Sequence, residues 1–508
     1  MKQKTLLLIC SCLLTINLQA AIRYVKTDGI TPAEDAANAT SWVTACNDLQ
    51  AVINASEAGD EVWVAVGTYK PNRPSNNLNI IDSTNRNNSF VLASNVAIYG
   101  GFPADADENT TMNDRVLPSL ENRGSILSGD IDNDGTFEGN SSRVVVSEGN
   151  VGTASIDGFT ITGGNADRST GGTDGGGMRN ISSSPIMKNL LITENRADRN
   201  GGGMYNNNAS PFLSNVSIIN NNGGGMSNIS SFPILFNVSI INNTTLYTGG
   251  GIDNSNSSPT LINVLIDGNI AGNGVGGIFN GEDSNPILIN VTISKHFGGG
   301  LLNYNSSPTI YNSIIMWNNG LGDYRSSPTY FHSLVQNVTT PDENGNLDGT
   351  LDPLFVNTEE GDFRLSEKSP CIDAGNKEIY LSTRKLLNFD GEKDLAGNER
   401  LFGANIDLGA CEFFSQEPTN IHVVNGQKQS ITSYPNPAVN GETVTLQLNE
   451  TRKNGNWMLF HLNGNVIRTG KFENQQEIKI HTADLASGFY LVKLSGENWQ
   501  TTEMMIVR

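Results

Sequence analysis

The most regular feature of the chain is a motif of polar and apolar positions that recurs between residues 175 and 335. Each copy holds three short stretches in which apolar and polar residues alternate, and alternation with a period of two is typical of β-strands. The copies are marked by prolines 20 to 27 residues apart, at Pro185, Pro211, Pro233, Pro259, Pro286, Pro308 and Pro328. A repeat of this length built from strands predicts a parallel β-helix, with coils stacked about 4.8 Å apart.

Asparagine recurs at two fixed positions relative to these prolines. One row follows the prolines by four residues, at Asn189, Asn215, Asn237, Asn263, Asn290 and Asn312. The other row precedes them, at Asn180, Asn206, Asn228, Asn254, Asn280 and Asn303. Asparagine tolerates the left-handed conformation that a sharp bend can need, and stacked amides can hydrogen-bond along the helix. The rows therefore predict asparagine ladders, in which His296 and His332 are structural replacements.

The two ends of the chain differ from the repeats. Lys2 and Lys4 precede an apolar run and the small residue Ala20, a pattern typical of a secretory signal peptide. A short helix over 48–58 is expected to cap the first coil, because a solenoid otherwise exposes unpaired strands. The predicted divisions are a signal peptide over 1–20, a β-helix over 21–414, a linker over 415–430 and a final domain over 431–508.

Five segments of the β-helix region match known patterns. Gly59–Pro71 (GDEVWVAVGTYKP), Ile98–Phe102 (IYGGF) and Ile156–Ala166 (IDGFTITGGNA) resemble exported right-handed β-helix proteins of the pectin-lyase-like superfamily. The Gly-Gly-Gly-Met coils resemble the repeats of polymorphic outer-membrane proteins. Ser369–Gly375 and Asn405–Glu412 resemble the choice-of-anchor segment that closes many such helices. The resemblance implies an all-β, right-handed parallel β-helix solenoid, and a fold alone does not specify an activity.

The final domain has its own pattern. Strands are predicted at Thr443–Leu448, Trp457–Leu462 and Glu477–Ile480, and short strands at this spacing favour a small β-sandwich. Tyr434–Pro437 (YPNP) and Gly488–Val492 (GFYLV) resemble the type IX secretion C-terminal sorting domain. The resemblance implies export through the outer membrane by the type IX secretion machinery, to a secreted or cell-surface location.

Charge narrows the range of partners. The 508 residues include 32 Lys and Arg against 52 Asp and Glu, so the formal net charge is −20. Binding to nucleic acid depends on clustered basic residues, and binding to an anionic membrane surface does too. Both partners are therefore disfavoured. After the signal peptide no run reaches the roughly 18 apolar residues of a membrane-spanning helix, so no transmembrane segment is expected.

Three cysteines remain after the signal peptide. Cys371 and Cys411 could form a disulfide in an oxidising compartment, closing a loop of about 40 residues. Alternatively, both are buried thiols together with Cys46. The sequence leaves these alternatives open.

One row of outward-facing positions is a candidate binding site. It consists of Arg179, Tyr205, Ser227, Asp253, Phe279 and Leu302, with Arg196, Asp198 and Arg199 in a neighbouring loop. Aromatic rings offer sugars an apolar face, while Arg and Asp can bind hydroxyl groups. Loops of variable length flank this row, and such loops often carry function on a regular scaffold. We call the row the strip; it is either glycan-facing or an ordinary solvated strand face.

One segment resembles a calcium loop. Asp130, Asp132 and Asp134 place carboxylates at alternate positions before a glycine, as a Ca²⁺ loop requires. The twelfth position, which should be Glu, is Ser141, so Glu138 is expected to substitute. Such a site would be structural rather than catalytic.

The sequence favours a non-enzymatic adhesin or glycan-contacting protein, whose partner is a polysaccharide or a host or cell surface. The reason is a regular scaffold without a matched pair of carboxylates on neighbouring coils. Two alternatives remain: a polysaccharide lyase or glycoside hydrolase on the same fold, and a self-associating structural surface protein.

Overall fold

The structure is a computed structural model that describes most of the chain after residue 19. The described residues are 20–170, 172–338, 343–387, 393–414, 431–435, 438, 441–461, 466–485, 488–496 and 499–507. The expected signal peptide, apart from Ala20, and the expected linker lie outside them. The chain divides into two compact units, residues 1–414 and 415–508.

The first unit is a stack of parallel strands, which confirms the predicted β-helix. The first sheet has sixteen strands: Ile22–Val25, Glu61–Ala65, Gly67–Tyr69, Ala97–Phe102, Ser125–Ser128, Ser155–Asp157, Phe159–Thr162, Ile186–Thr193, Phe212–Ile219, Ile234–Ile241, Thr260–Asp267, Ile287–Ser294, Thr309–Tyr311, Ile314–Met316, Thr329–Phe331 and Leu334–Val335. The second sheet has nine: Phe90–Val91, Val145–Glu148, Met178–Ile181, Met204–Asn207, Met226–Ile229, Ile252–Ser255, Ile278–Gly281, Leu301–Tyr304 and Leu321–Tyr324. A short third side pairs Asn165–Ala166 with Arg196–Ala197, and Thr244–Thr245 with Ile270–Ala271.

The asparagine after each proline bends the coil without ending the strand. Asn215 has φ 55° and lies inside the eight-residue strand Phe212–Ile219, where the pairing register skips it. The two stretches predicted on either side of this residue are therefore one bent strand in the central coils. Only the last two coils break there, as at Thr309–Tyr311 and Ile314–Met316.

The core is a set of stacked apolar rows inside the coil. Residues at equivalent positions of successive coils, such as Met178, Met204, Met226 and Ile252, are register partners and at most 1% exposed. Like side chains therefore stack on like, and each coil completes the core of its neighbour.

The asparagine row before the prolines forms a buried ladder. Each amide nitrogen donates to the amide oxygen one coil further on, from Asn180 to Asn303, over 2.8–2.9 Å. Asn303 donates to Asp323 at 2.7 Å, which ends the ladder. The predicted amide stacking is confirmed, and it satisfies amides that would otherwise be buried unpaired.

Further polar rows run parallel to this ladder. In one of them, the backbone N–H of Asn243 donates to Oδ1 of Asn269, and on the next coil the backbone N–H of Asn269 donates to Nδ1 of His296 at 3.0 Å. The histidine thus takes the place of an asparagine acceptor. Burial lowers the pKa of His296 to about 4, so the ring is neutral and structural, as predicted. Serine residues two positions before the prolines form a row that the repeat pattern did not predict. In it, the backbone N–H of Ser231 donates to Oγ of Ser257 at 3.0 Å.

The first coils are covered by the predicted helix, which spans Leu49–Ala55 and begins after Asp48, whose carboxylate accepts from the N–H of Ala51 at 2.9 Å. Its residues Leu49, Val52 and Ile53 belong to the main core. Three short 3-10 helices lie in the first unit before the repeats end, at Ala33–Asn38, Met112–Asp114 and Arg168–Thr170.

Residues 355–387 and 393–414, here called the closing segment, pack on the outer face of the first sheet. Tyr380 and Ile406 contact the outward side chains Phe236, Ile262 and Ile289. The closing segment, whose sequence does not repeat, thus buries apolar residues that the β-helix alone would expose. Its elements are the strands Phe355–Asn357 and Asp362–Leu365, the 3-10 helix Thr358–Glu360 and the helix Lys377–Leu387.

The second unit is an antiparallel sheet with its own core. Its five strands are Ile431–Tyr434, Thr443–His461, Val466–His481, Gly488–Gly496 and Trp499–Val507. The stretches predicted at Thr443–Leu448 and at Trp457 belong to one long strand, whose register shifts between Gln447 and Arg452.

Candidate functional site

The six residues of the strip lie side by side on adjacent strands of the second sheet. They are direct register partners in the order Arg179, Tyr205, Ser227, Asp253, Phe279 and Leu302. The middle of the strip is less open than predicted, since Tyr205 is only 7% and Ser227 only 3% exposed. The lengths of the flanking loops, read from the sequence, gave no indication that these loops approach the strip closely.

Glycines let those loops approach the strip. Gly175 and Gly201 have φ of 74° and 59°, and a Cβ on either one would lie 3.1 Å from an atom of Tyr205. A Cβ on Gly249, at φ 62°, would lie 2.8 Å from Cβ of Asp253. The glycine clusters of the repeat thus allow the loop backbone to pack closely against the residues of the strip.

Charged groups gather at the Arg179 end of the strip. The Arg179 guanidinium pairs with Glu148 at 2.9 Å. Asn200 donates to the Asp174 carboxylate at 3.0 Å, and Arg143 donates to the Asp174 carbonyl at 3.3 Å. Arg143 and Glu148 were not predicted, because the coil that holds them lacks the proline and asparagine positions.

Tyr205 lies at the centre of this group. Burial raises the pKa of its hydroxyl, Asp174 adds to the rise, and Arg179 and Arg199 oppose it. These charges are therefore close enough to act on one phenol. Arg199 is exposed, and its backbone N–H donates to the carbonyl of Thr173 at 3.0 Å, which joins two flanking loops.

Arg196 and Asp198 belong to the third side of the coil rather than to the second sheet. Arg196 is the register partner of Asn165, and its guanidinium lies 3.5 Å from the Asp198 carboxylate. Asp198 also accepts from the backbone N–H of Arg168 at 3.3 Å. The structure therefore brings Arg179, Tyr205 and Arg199 together, while Arg196 and Asp198 form a separate pair.

The Phe279 end of the strip is aromatic. Gly281 is two residues further along the same strand, and a Cβ there would lie 2.8 Å from the Phe279 ring. The ring therefore lies against the backbone of Gly281. Tyr304 and Tyr324, the register partners of Gly281 on the next coils, stack with ring centroids 5.1 Å apart.

Asp253 is the carboxylate of the strip. Oγ1 of Thr248 donates to its Oδ2 at 2.7 Å. Burial nevertheless raises the pKa of Asp253 to about 6, with the Thr248 hydrogen bond opposing the rise. The folded protein therefore prefers the protonated form more than the unfolded chain does.

Replacing Asp253 by asparagine is expected to stabilise the first unit at pH 8 and not at pH 4. Between pH 4 and pH 6 the Asp253 carboxyl is already ionised in the unfolded chain but still protonated in the folded protein. The free energy of unfolding therefore falls as the pH rises through this range. At roughly 1.4 kcal/mol per pKa unit, the gain at pH 8 is about 2–3 kcal/mol. Urea unfolding of D253N and wild type at both pH values measures it. The control D105N removes an exposed carboxylate, and an equal gain in that variant would contradict the assignment.

The acidic loop brings three carboxylates together. Ligand oxygens of Asp130, Asp132 and Asp134 lie within 4.8 Å of one another. Glu138 is not part of this group. Asp134 accepts from the N–H and hydroxyl of Thr136 at 2.7 and 3.0 Å, so some of its lone pairs are already used. The loop provides three of the six to eight oxygens that Ca²⁺ takes.

The cysteines of the described residues do not form disulfides. Cys46, Cys371 and Cys411 are all buried free thiols. Cys371 packs with Leu408, whereas Cys411 lies in a different cluster with Leu265 and Ala410. The possible bridge between Cys371 and Cys411 is therefore not present. Burial raises the pKa of both thiols to about 12.

The described helices include none with the length and apolar character to span a membrane. No curated protein matches the chain. Residues 432–508 match the family model for the secretion system C-terminal sorting domain. This match covers the second unit and carries no information on the β-helix. It shows that the chain ends in a type IX sorting domain, recognised by the secretion machinery, and is exported to the cell surface or beyond.

Proposed function

We propose that this exported β-helix contacts glycans through the Arg179 end of the strip and does so without turning them over. The observation that carries the proposal is the group formed by Arg179, Arg199, Tyr205 and Asp174, next to two inserted loops. Guanidinium groups bind hydroxyls and oxyanions through paired N–H donors, and Tyr205, at 7% exposure, belongs to their support rather than to the contact surface.

The distribution of charge supports this location. Residues 200–294 contain no Lys or Arg, although the repeat continues through them. Six basic residues fall within the preceding 57, at Arg143, Arg168, Arg179, Lys188, Arg196 and Arg199. The same 57 residues hold six Asp and Glu, so this stretch is neutral in a chain of net charge −20 and repels an anionic glycan less than residues 200–294, which carry only acidic charges, do. It therefore favours contact with a glycan that carries isolated carboxylate or sulfate groups.

The surroundings of Asp253 support binding rather than hydrolysis. Its register neighbours are Ser227 and Phe279, so the adjacent coils supply no second carboxylate on this row. Glycoside hydrolysis generally uses two carboxyl groups roughly 5–10 Å apart. One observation favours the enzyme alternative: a carboxyl group with a pKa of about 6 could serve as a general acid.

Affinity electrophoresis of residues 21–508 through gels containing neutral, carboxylated or sulfated polysaccharides, with and without Ca²⁺, tests the proposal. Retardation by one charged polysaccharide is expected, and R179A and R199A should each weaken it about tenfold, the value of one charge-assisted hydrogen bond. The control R364A removes an arginine of the closing segment whose side chain is 57% exposed. Equal retardation of all variants would contradict the site.

A reducing-sugar and unsaturated-product assay on the same samples separates binding from catalysis. We expect no product. Product that disappears in D253N would establish the enzyme alternative and assign the general acid to the strip.

A further inference from the structure

Arg143 is a partly buried arginine without a carboxylate partner. Its Nε–H donates to the carbonyl of Asp174 at 3.3 Å, and within the described residues no ion pair includes its guanidinium. A Cβ on Gly172 would clash with Nη2, so the guanidinium lies directly against the backbone of that loop residue. Partial burial of a charge without a countercharge costs free energy.

Neighbouring charges act on Arg143 without pairing with it. Burial lowers the pKa of its guanidinium, Arg179 lowers it further, and Asp174 and Glu148 oppose the fall. Glu148 is already paired with Arg179 at 2.9 Å. The Asp174 carboxylate accepts from Nδ2 of Asn200 at 3.0 Å. Both carboxylates therefore have other partners.

The ion pairs around Arg143 leave positive charge uncompensated. Residues 143–199 hold six basic and six acidic residues. Five of the acidic ones are paired, three of them with arginines from earlier in the chain: the pairs are Arg86–Asp167, Arg115–Asp157, Arg123–Glu194, Arg179–Glu148 and Arg196–Asp198. Among the described residues of this stretch, Asp174 is left without an ion pair, and so are four basic residues: Arg143, Arg168, Lys188 and Arg199. The last three are exposed to water, so Arg143 is the one whose charge is partly buried.

We propose that Arg143 is the anion subsite of the strip, where its guanidinium receives a carboxylate or sulfate group of the bound glycan. This inference rests on the proposed function and adds the residue that distinguishes charged from neutral glycans. Within the described residues only Nε of Arg143 makes a hydrogen bond, which leaves the N–H groups of Nη1 and Nη2 for the oxygens of an oxyanion. The bound group supplies the countercharge that the guanidinium lacks. Asp174 and Glu148 repel further anions, so the subsite suits an isolated charged group.

Affinity electrophoresis of residues 21–508 in hyaluronan, κ-carrageenan and dextran tests the subsite. Hyaluronan carries a carboxylate and κ-carrageenan a sulfate on alternate sugars, whereas dextran is neutral. We expect retardation by at least one charged polymer and a loss of about tenfold in R143Q, as for removal of one charge-assisted hydrogen bond. Equal retardation of R143Q and wild type, with a loss in R179A, would overturn the subsite and leave the proposed function standing. Absence of retardation of wild type in every gel would contradict the proposed function and, with it, the glycan as ligand of Arg143.

Asp174→Asn separates a lost ligand from a damaged fold. The asparagine keeps an oxygen for Asn200 but removes a negative charge near Arg143, so the charged polymer should bind more tightly, by up to about fivefold. A misfolded protein could not show such a gain. R364Q, in the closing segment, is the control and should bind as wild type does. Weaker binding of D174N would overturn the subsite.

Inorganic sulfate probes Arg143 without a glycan. Sulfate stabilises proteins in general, so the comparison between variants carries the test. At equal ionic strength, sodium sulfate should raise the melting temperature of wild type and R364Q above that in sodium chloride by more than it does for R143Q, because an anion bound to the folded state stabilises it. The same difference in all three proteins would overturn the assignment of Arg143, whatever the glycan result.

Discussion

Replacing Arg400 by leucine is expected to detach the closing segment from the β-helix, at a cost of about 3–5 kcal/mol. Arg400 and Glu412 both have fully buried side chains, with Nη1 3.4 Å from the carboxylate. Nη2 donates to the carbonyls of Asp407 and Gly409 at 2.9 Å each. Burial raises the pKa of Glu412 to about 8 although Arg400 opposes the rise. The substitution therefore removes the group that favours the ionised form of this buried carboxyl and leaves two carbonyls without their donor.

Trp317 reports on this detachment. Its ring lies 5.5 Å from that of Phe355 in the closing segment, so its fluorescence should change when the segment leaves. Urea titration of R400L should show this change at lower denaturant than wild type, together with faster proteolysis between residues 355 and 414. R364L is the matched control, since Arg364 pairs with Asp362 at the surface and such pairs contribute at most about 1 kcal/mol. Equal loss in both variants would contradict a special role of the buried pair.

The second large effect is expected in the buried amide ladder. Asn228 is fully buried, accepts from Asn206 at 2.8 Å and donates to Asn254 at 2.9 Å. Asn228→Ala leaves one donor and one acceptor unpaired in the core, each costing about 1–3 kcal/mol, so the total is about 2–6 kcal/mol.

Urea unfolding of N228A, monitored by circular dichroism, measures this loss. Asn207→Ala is the control in the preceding coil, because Asn207 is an outward, partly exposed residue of the adjacent strand. We expect less than about 0.5 kcal/mol there. If N228A were as stable as N207A, the ladder would not contribute to stability, which would contradict the prediction.

The repeating part of the fold could be predicted from the sequence because the same motif recurs in every coil from Pro185 to Pro328. Asn189, Asn215 and Asn263 have φ between 50° and 55°, as the bend required. The amide stacking follows from the same rows, whereas His296 belongs to a parallel row that continues Asn243 and Asn269. Each row shows the same residue type in the same local environment several times. In addition, each strand pairs with the equivalent strand of the next repeat, so the pairing follows directly from the repeat.

The parts that could not be predicted occur only once. The closing segment covers Ile262 and Ile289 through contacts about 90 or more residues away in sequence, and no period marks its partners. The strip was placed in the correct register, but the cover over Tyr205 depends on how the glycine-containing loops turn. The charge group was incomplete for the same reason, since Glu148 and Arg143 come from a coil without the repeat signature.

The polar direction of the amide ladder has a consequence for how such a protein can change length. Every rung from Asn180 to Asn303 donates in the same sense, and the rungs are chemically equivalent. Insertion or deletion of one complete coil rejoins a donor to an acceptor of the same kind, while a change of length inside a strand, rather than in a loop, shifts the rows of that coil. Recombination between whole coils is thus tolerated, and the reach of the molecule can evolve in steps of about 4.8 Å without redesign of its core.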